Sequence, residues 1–181
     1  MAHLILALTW QSVRIGLLSK VNIEQHPELV AMLEENEDVS KFLNVSPEHN
    51  LLRWFNFHLK RAGHQRRVNN FTTDIMDAEN YLVLLQQIAP NVVSRGVHLE
   101  PDPQKRAEYV CYYAEQLKCP KLLTPKDIIE GNEKLNLAFT AYLFNKLPGL
   151  EVLEDNYAQQ QALAQAEALM RQKFEEQERE R

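Results

Sequence analysis

Between His49 and Thr73 the chain carries Arg53, Lys60, Arg61, Arg66 and Arg67 and no acid. Such a block suits electrostatic recognition of an anion: an acidic protein surface, phosphoinositide headgroups or nucleic acid. A merely solvated face is the competing reading of the same charges. Catalytic patterns are missing. The histidines (His3, His26, His49, His58, His64 and His98) are scattered, with no HExxH motif and no His/Cys set at zinc spacing. Cys111 and Cys119 form neither a CxxC pair nor a disulfide framework, which fits a reducing, cytoplasmic setting. Asp74 and Asp77 are explained by a loop and a helix cap. No GxSxG occurs, and the few glycines cannot assemble a phosphate loop. The expectation is a binding module, not an enzyme, with no metal and no cofactor.

The element that must position most of these cations is "LLRWFNFHLKRAG", residues 51–63. At about 100° per residue its apolar side chains sweep an arc of roughly 220°. Arg53, Asn56 and Lys60 share the strip that remains. A surface helix usually shows a narrower apolar stripe, so this one is the centre of a bundle, a helix that also serves a partner, or both. His58 falls on the apolar side and reads as a packed histidine. The aromatic residues also face the core, whereas stacking on bases needs exposed rings, so no nucleic acid is expected as partner.

Ser46 and Pro47 open this helix as cap and first residue, and Gly63 closes it near Ala62. Before it, Leu4–Leu18 is apolar on all sides and is expected to be buried on its own bundle, on a second copy or in a larger assembly. His26–Glu34 reads as a short helix and the acidic "EENED" as a loop. After it, "HQRRVNNFTTDI" lacks helical period. Asp77 is expected to cap a helix from Ala78 to about Ile88, and Asn91–Pro101 reads as a loop. Asp102 and Pro103 start a helix to about Leu117. "TPKD" resembles a capping box opening one turn, Lys126–Glu130. Asn132 caps Glu133–Lys146, ended by Pro148 and Gly149. No strand signal occurs, and the class is all-α.

Glu151–Arg181 holds eight acids and four bases of a chain whose net charge is −5, so the preceding residues are close to neutral. It contains no proline or glycine, and Leu163, Ala166, Met170 and Phe174 recur at 3-4-4 spacing. This is the stripe of a helix that pairs with another helix. It is expected to reach out of the bundle and self-associate, the alternative being that Ala162–Met170 folds back along the bundle, with the first helix, which also lacks a partner, as one place for it. The start "MAHLILALTWQSVRIGLL" lacks a basic region and cleavage site for a signal peptide, and its apolar run is too short and interrupted for a transmembrane segment.

Taken in order, "SPEHNLLRWFNFHLKRAG", "VNNFTTDIMDAENYLVLLQQIAP" and "QKRAEYVCYYAEQLKCPKLLTPKDIIEGNEKLNLAFTAYLFNKLPGL" resemble a calponin-homology (CH) domain. The resemblance is closest to the second CH domain of the actin-binding pair in the fimbrins (plastins). It divides the chain into 1–44, the last helix of a preceding CH domain plus linker; 45–150, the CH domain; and 151–181, a C-terminal amphipathic helix. The rest of the first domain, a second actin-binding pair and an EF-hand loop are missing, which implies a fragment or a divergent form.

The resemblance implies four main helices with shorter turns, and a cytoplasmic, cytoskeletal protein that binds or bundles filamentous actin. In the family, actin contacts lie on the opening and last helices of the first domain and on the opening helix of the second. Carried over, Arg14 on the first helix and Arg53, Asn56, Lys60, Arg61, Arg66 and Arg67 are the candidate actin-binding residues. The alternative implied by single CH domains is a microtubule or ciliary scaffold dimerising through its tail. Tubulin is acidic too, so charge alone leaves that alternative open.

Overall fold

The computed structural model describes residues 2–181, with side chains from Leu8 onward. Seven helices follow in order: α1 (Ala2–Leu18), α2 (Pro47–Arg61), α3 (Glu79–Ile88), α4 (Pro103–Gln116), α5 (Pro125–Ile129), α6 (Glu133–Lys146) and α7 (Tyr157–Arg179). Pro27–Met32, Val39–Phe42 and Val97–Leu99 are 3-10 turns, and no strand occurs among the described residues. Helices α2, α3, α4 and α6 form the main bundle.

The caps do what the sequence indicates. Ser46 Oγ accepts from His49 N–H at 3.2 Å, Asp102 from Gln104 N–H at 2.9 Å and Asn132 from Leu135 N–H at 3.3 Å. Thr124 and Asp127 form a reciprocal capping box. Each satisfies a helix-start N–H that has no partner within its own helix. Asp77 is displaced from its expected place: Ala78, in the left-handed conformation with φ of 62°, stands at the cap position of α3. Asp77 still accepts from Glu79 N–H at 3.2 Å, but its carboxylate is turned towards Arg66. Pro27–Met32 also departs from expectation, forming a 3-10 turn. Side chains three apart line up in that geometry, so Leu29 and Met32 enter the core together.

Helix α6 is the centre. Asn136, Leu137, Ala138, Phe139, Thr140 and Ala141 are all buried in succession. α1, α2 and α5 pack on it, and α3 meets it where Tyr81 stands edge-on to Phe139, 5.4 Å between rings. Trp54, Phe55, Tyr81, Phe139 and Phe144 are fully buried, each worth roughly 1.5–3 kcal/mol of apolar burial. Two polar knots tie the layers. Tyr81 Oη donates to Asn136 Oδ1 at 2.8 Å, while Asn136 Nδ2 donates to the carbonyls of Asn132 (2.8 Å) and Asp127 (3.2 Å). At the end of α6, Trp54 Nε1 donates to the Pro148 carbonyl at 2.7 Å, and His58 Nε2 meets the same oxygen at 2.9 Å. A carbonyl only accepts, so Nε2 carries the hydrogen. Gly149, at φ of 58°, belongs here: a Cβ would lie 3.0 Å from the His58 ring.

The two ends of the chain correct the sequence reading. α1 is not buried all round. Its last turns pack beside α6, with Asn145 Nδ2 donating to the Leu17 carbonyl at 3.0 Å. Leu8 and Ile15 are 56% and 68% exposed, and Val13 is exposed as well. The bundle covers one side of α1 and leaves the other in solvent; Leu4, Ile5 and Leu6, also expected to be buried, lie outside the described side chains. α7 does not reach out as expected but folds back, and onto the 3-10 turns Pro27–Met32 and Val39–Phe42 instead of α1. Ala162 and Ala166 are small enough to let it approach closely and are buried there, with Leu163 and Met170 half-buried. Lys173 Nζ reaches Asn44 Oδ1 at 3.2 Å, and Phe174, 62% exposed, is the one residue of the stripe left in solvent.

Two outcomes follow for stability. Asn136→Ala leaves the buried Tyr81 hydroxyl only the longer contact to the residue-136 carbonyl, 3.4 Å, and is expected to cost about 1–3 kcal/mol in urea unfolding. Adding Tyr81→Phe to that variant should cost far less than the sum of the single changes. Burial pushes the His58 imidazole down to about 4 from 6.5, against the opposing pull of the Pro148 carbonyl and with help from the Arg61 charge. The unfolded chain therefore takes up this proton first. Stability present above pH 6.5 should fall by up to about 1.4 kcal/mol per pH unit between 6.5 and 4, and His58→Gln should flatten that component of the slope.

Candidate functional site: a basic groove beside an acidic turn

A groove of about 1040 Å³ runs between α2, the loop that follows it, and the segment preceding Val39. Arg53, Asn56, Lys60, Arg61, Arg66 and Arg67 all line it. The structure thus brings together six of the seven sequence candidates. Arg14 stands apart, in a hollow of about 450 Å³ between α1 and Pro47, where it pairs with Glu48 at 3.3 Å.

Each candidate has its own commitments. The Arg53 guanidinium donates to the Met32 carbonyl at 2.9 Å, pairs with Glu37 and stands 4.7 Å over the Phe42 ring. Asn56 holds the following loop: its Nδ2 donates to the Val68 carbonyl at 2.7 Å and its Oδ1 accepts from Val68 N–H at 2.8 Å. Lys60, with its side chain 83% exposed, lies 3.8 Å from Glu34. Arg66 is tied to Asp77 at 2.6 Å and Glu79 at 2.9 Å. Arg61 lies 5.6 Å over the Phe57 ring. Among the described residues, Arg61 and Arg67 have no acidic partner; both are exposed. These two are the uncompensated charges of the block.

The loop that carries Arg66 and Arg67 is tied down by burial and side-chain hydrogen bonds despite lacking helix. Val68, Phe71 and Ile75 are buried under it. Asn70 Oδ1 accepts from Thr72 N–H and Asp74 N–H, both at 3.1 Å, an Asx turn. The buried Asn80 donates to the Asp74 carbonyl at 2.8 Å and receives His64 Nε2 at 3.0 Å.

The acidic wall was missed by sequence reasoning. Glu37 accepts from Glu34 N–H at 2.9 Å, from Arg53 and from Lys41 at 3.3 Å. The Glu34 amide and these cations hold its carboxyl at about 2, outweighing its partial burial. The available signal was an acid run preceding a base run of opposite sign.

No group of acids, histidines and cysteines among the described residues could hold a metal ion, and no helix among them is long and apolar enough to cross a membrane. The groove brings Arg53, Lys60, Arg61, Arg66 and Arg67 onto one surface, an arrangement whose charge suits an anionic partner.

Asn56→Ala removes both bonds to Val68 and should destabilise by about 1–3 kcal/mol, with faster amide exchange at Val68. Arg67→Ala should stay within about 0.5 kcal/mol of the parent in the same urea titration.

A family model for the calponin homology (CH) domain matches residues 45–149. The chain is 52% identical over 153 residues to fimbrin of Saccharomyces cerevisiae, covering 84% of this chain and 24% of that protein. It is 54% identical over 153 residues to fimbrin of Schizosaccharomyces pombe, covering 84% and 25%. With human plastin-3 it shares 43% over 157 residues, covering 82% and 25%. The chain spans about a quarter of the length of these relatives. Among solved structures, the actin-crosslinking core of Schizosaccharomyces pombe fimbrin is similar, with 47% identity and a TM-score of 0.64 over 84% of this chain and 29% of that one.

Proposed function

The chain belongs to the calponin homology (CH) domain family, and from that premise we propose that it supplies an actin-filament-binding domain to a filament-bundling protein of the fimbrin type. The observation that carries the proposal is the pair of exposed cations without an acidic partner among the described residues, Arg61 and Arg67, on a groove where Arg53 and Arg66 are held by ion pairs. An actin filament is acidic, and exposed cations without an acidic partner of their own attract it through solvent. Similarity to fimbrins that extends across most of this chain, and to a core described as actin-crosslinking, supports the choice of filament over other acidic surfaces. On this reading the protein is cytoplasmic and cytoskeletal, and its role is binding, not catalysis.

Residues 1–44 are then the last helix of a preceding CH domain plus linker, residues 45–150 the second domain and 151–181 a C-terminal helix. The exposed Leu8, Val13 and Ile15 support this division, because a helix with solvent on one apolar side suits a further domain's cover. Arg14, in its separate hollow, lies on that helix and extends the basic surface beyond the groove.

The chain is expected to cosediment with filamentous actin at low ionic strength and to lose binding as salt approaches about 0.15 M, where the Debye length shrinks to about 8 Å. Arg61→Glu with Arg67→Glu should weaken binding by about tenfold without loss of fold, since neither side chain holds another element. Equal binding by this variant, or sedimentation with microtubules but not with actin filaments, overturns the proposal.

A further inference from the structure

Two cations on the polar strip of α2 are already occupied, and what occupies them is part of this chain. Glu34 and Glu37 are the ends of a single tight turn: Glu37 N–H donates to the Glu34 carbonyl at 3.1 Å, and Asn36 adopts φ of 70°. That turn lays one carboxylate against Arg53 and the other towards Lys60. No residue from Glu34 to Asp38 is buried, so lifting the turn would uncover no core. The flanking segments are a different matter: Leu29, Val30 and Met32 on one side and Val39 and Phe42 on the other are buried, and α7 packs over both. The turn is thus a charged flap between two anchored ends, lying on the wall of the groove that holds Arg61 and Arg67.

We propose that Glu34–Asp38 is an autoinhibitory latch, an internal acidic segment that occupies Arg53 and Lys60 in place of an acidic protein partner. In the closed state, Arg61 and Arg67 are the cations of the block that lack an acidic partner among the described residues. Opening the turn removes the carboxylates beside Arg53 and Lys60; Arg53 stays on the Met32 carbonyl and the Phe42 ring, but its charge is no longer compensated, so four uncompensated cations on one wall of the groove meet the partner together. The identity of the partner as an actin filament rests on the function proposed above; the latch itself requires only that the partner be acidic.

The test compares the full chain with Glu34→Gln, with Glu34→Gln plus Glu37→Gln, and with Glu115→Gln. The last removes the same charge from an exposed position on α4, outside the groove. Two probes are used: a fluorescein-labelled polyglutamate peptide read by anisotropy, and filamentous actin read by cosedimentation. Glu34 is exposed and its side chain supports no other element, so Glu34→Gln keeps the fold even if the double variant loosens it. The double variant should bind polyglutamate about three- to tenfold more tightly at low ionic strength, and Glu34→Gln by a smaller factor in the same direction, with Glu115→Gln within about twofold of the parent. Equal tightening by Glu115→Gln would reduce the effect to net charge and overturn the latch, as would no tightening in either latch variant. Tighter polyglutamate binding with no filament binding by any chain would uphold the latch and reject the filament as partner.

Discussion

A helix with six consecutive buried residues cannot lie at a surface, and α6, buried from Asn136 to Ala141, dictates how everything else is arranged. Neighbours are needed on every side, and the chain supplies α1, α2, α3 and α5. Its two polar members, Asn136 and Thr140, are admissible only because each finds partners. Asn136 joins Tyr81 to the carbonyls of Asn132 and Asp127, and Thr140 donates to the Asn136 carbonyl at 2.9 Å. The same requirement uses up the apolar arc of α2. Trp54 and His58 converge on Pro148 at the end of α6, while Phe55 packs towards Tyr81 at 5.7 Å. What α2 can show the outside is therefore the strip holding Arg53, Asn56 and Lys60, flanked by His49, the half-buried Leu52 and Phe57, and Arg61 at its end.

Below that strip the fold trades regular structure for side-chain bonding. The loop between α2 and α3 has no helix to satisfy its backbone, and three asparagines do that work: Asn56 at Val68, Asn70 at Thr72 and Asp74, and Asn80 at Asp74. The Arg66 pairing with Asp77 and Glu79 adds a charged strut to the start of α3. Arg67 is carried on this frame by its backbone, while its exposed side chain makes no ion pair among the described residues. Residues that build the surface and residues that face a partner are thus interleaved, one position apart in sequence.

Local chemistry was legible in the sequence, and long-range pairing was not. Ser46, Asp102, the Thr124–Asp127 box and Asn132 act within three residues of themselves, so their cap roles could be read directly. His58 as a packed histidine followed from its place on the wheel. The acidic turn was read only as a loop, because its partners Arg53 and Lys60 lie in another element and nothing local points to them. The all-round apolar pattern of α1 correctly signalled an unusual helix, but periodicity cannot say how much cover a chain will provide. The stripe of α7 was likewise real; spacing marked the contact side, while the choice of the linker as its partner depended on Ala162 and Ala166 meeting two 3-10 turns. Asn56 shared a polar strip with two cations and was read like them, although its amide matches a backbone N–H and C=O pair, which neither cation can do.

The two tryptophans sit in environments that could hardly differ more. Trp54 is wholly enclosed, its indole nitrogen fixed on Pro148, whereas Trp10 is only half-buried, on the helix whose other side faces solvent. The molecule therefore carries two intrinsic optical probes with separate assignments. Emission from Trp54 reports the integrity of the bundle at the end of α6, and emission from Trp10 reports what lies against α1. Replacing either by phenylalanine would leave a single-colour reporter, so that cover arriving over α1 could be followed without labelling and without confusion from the core.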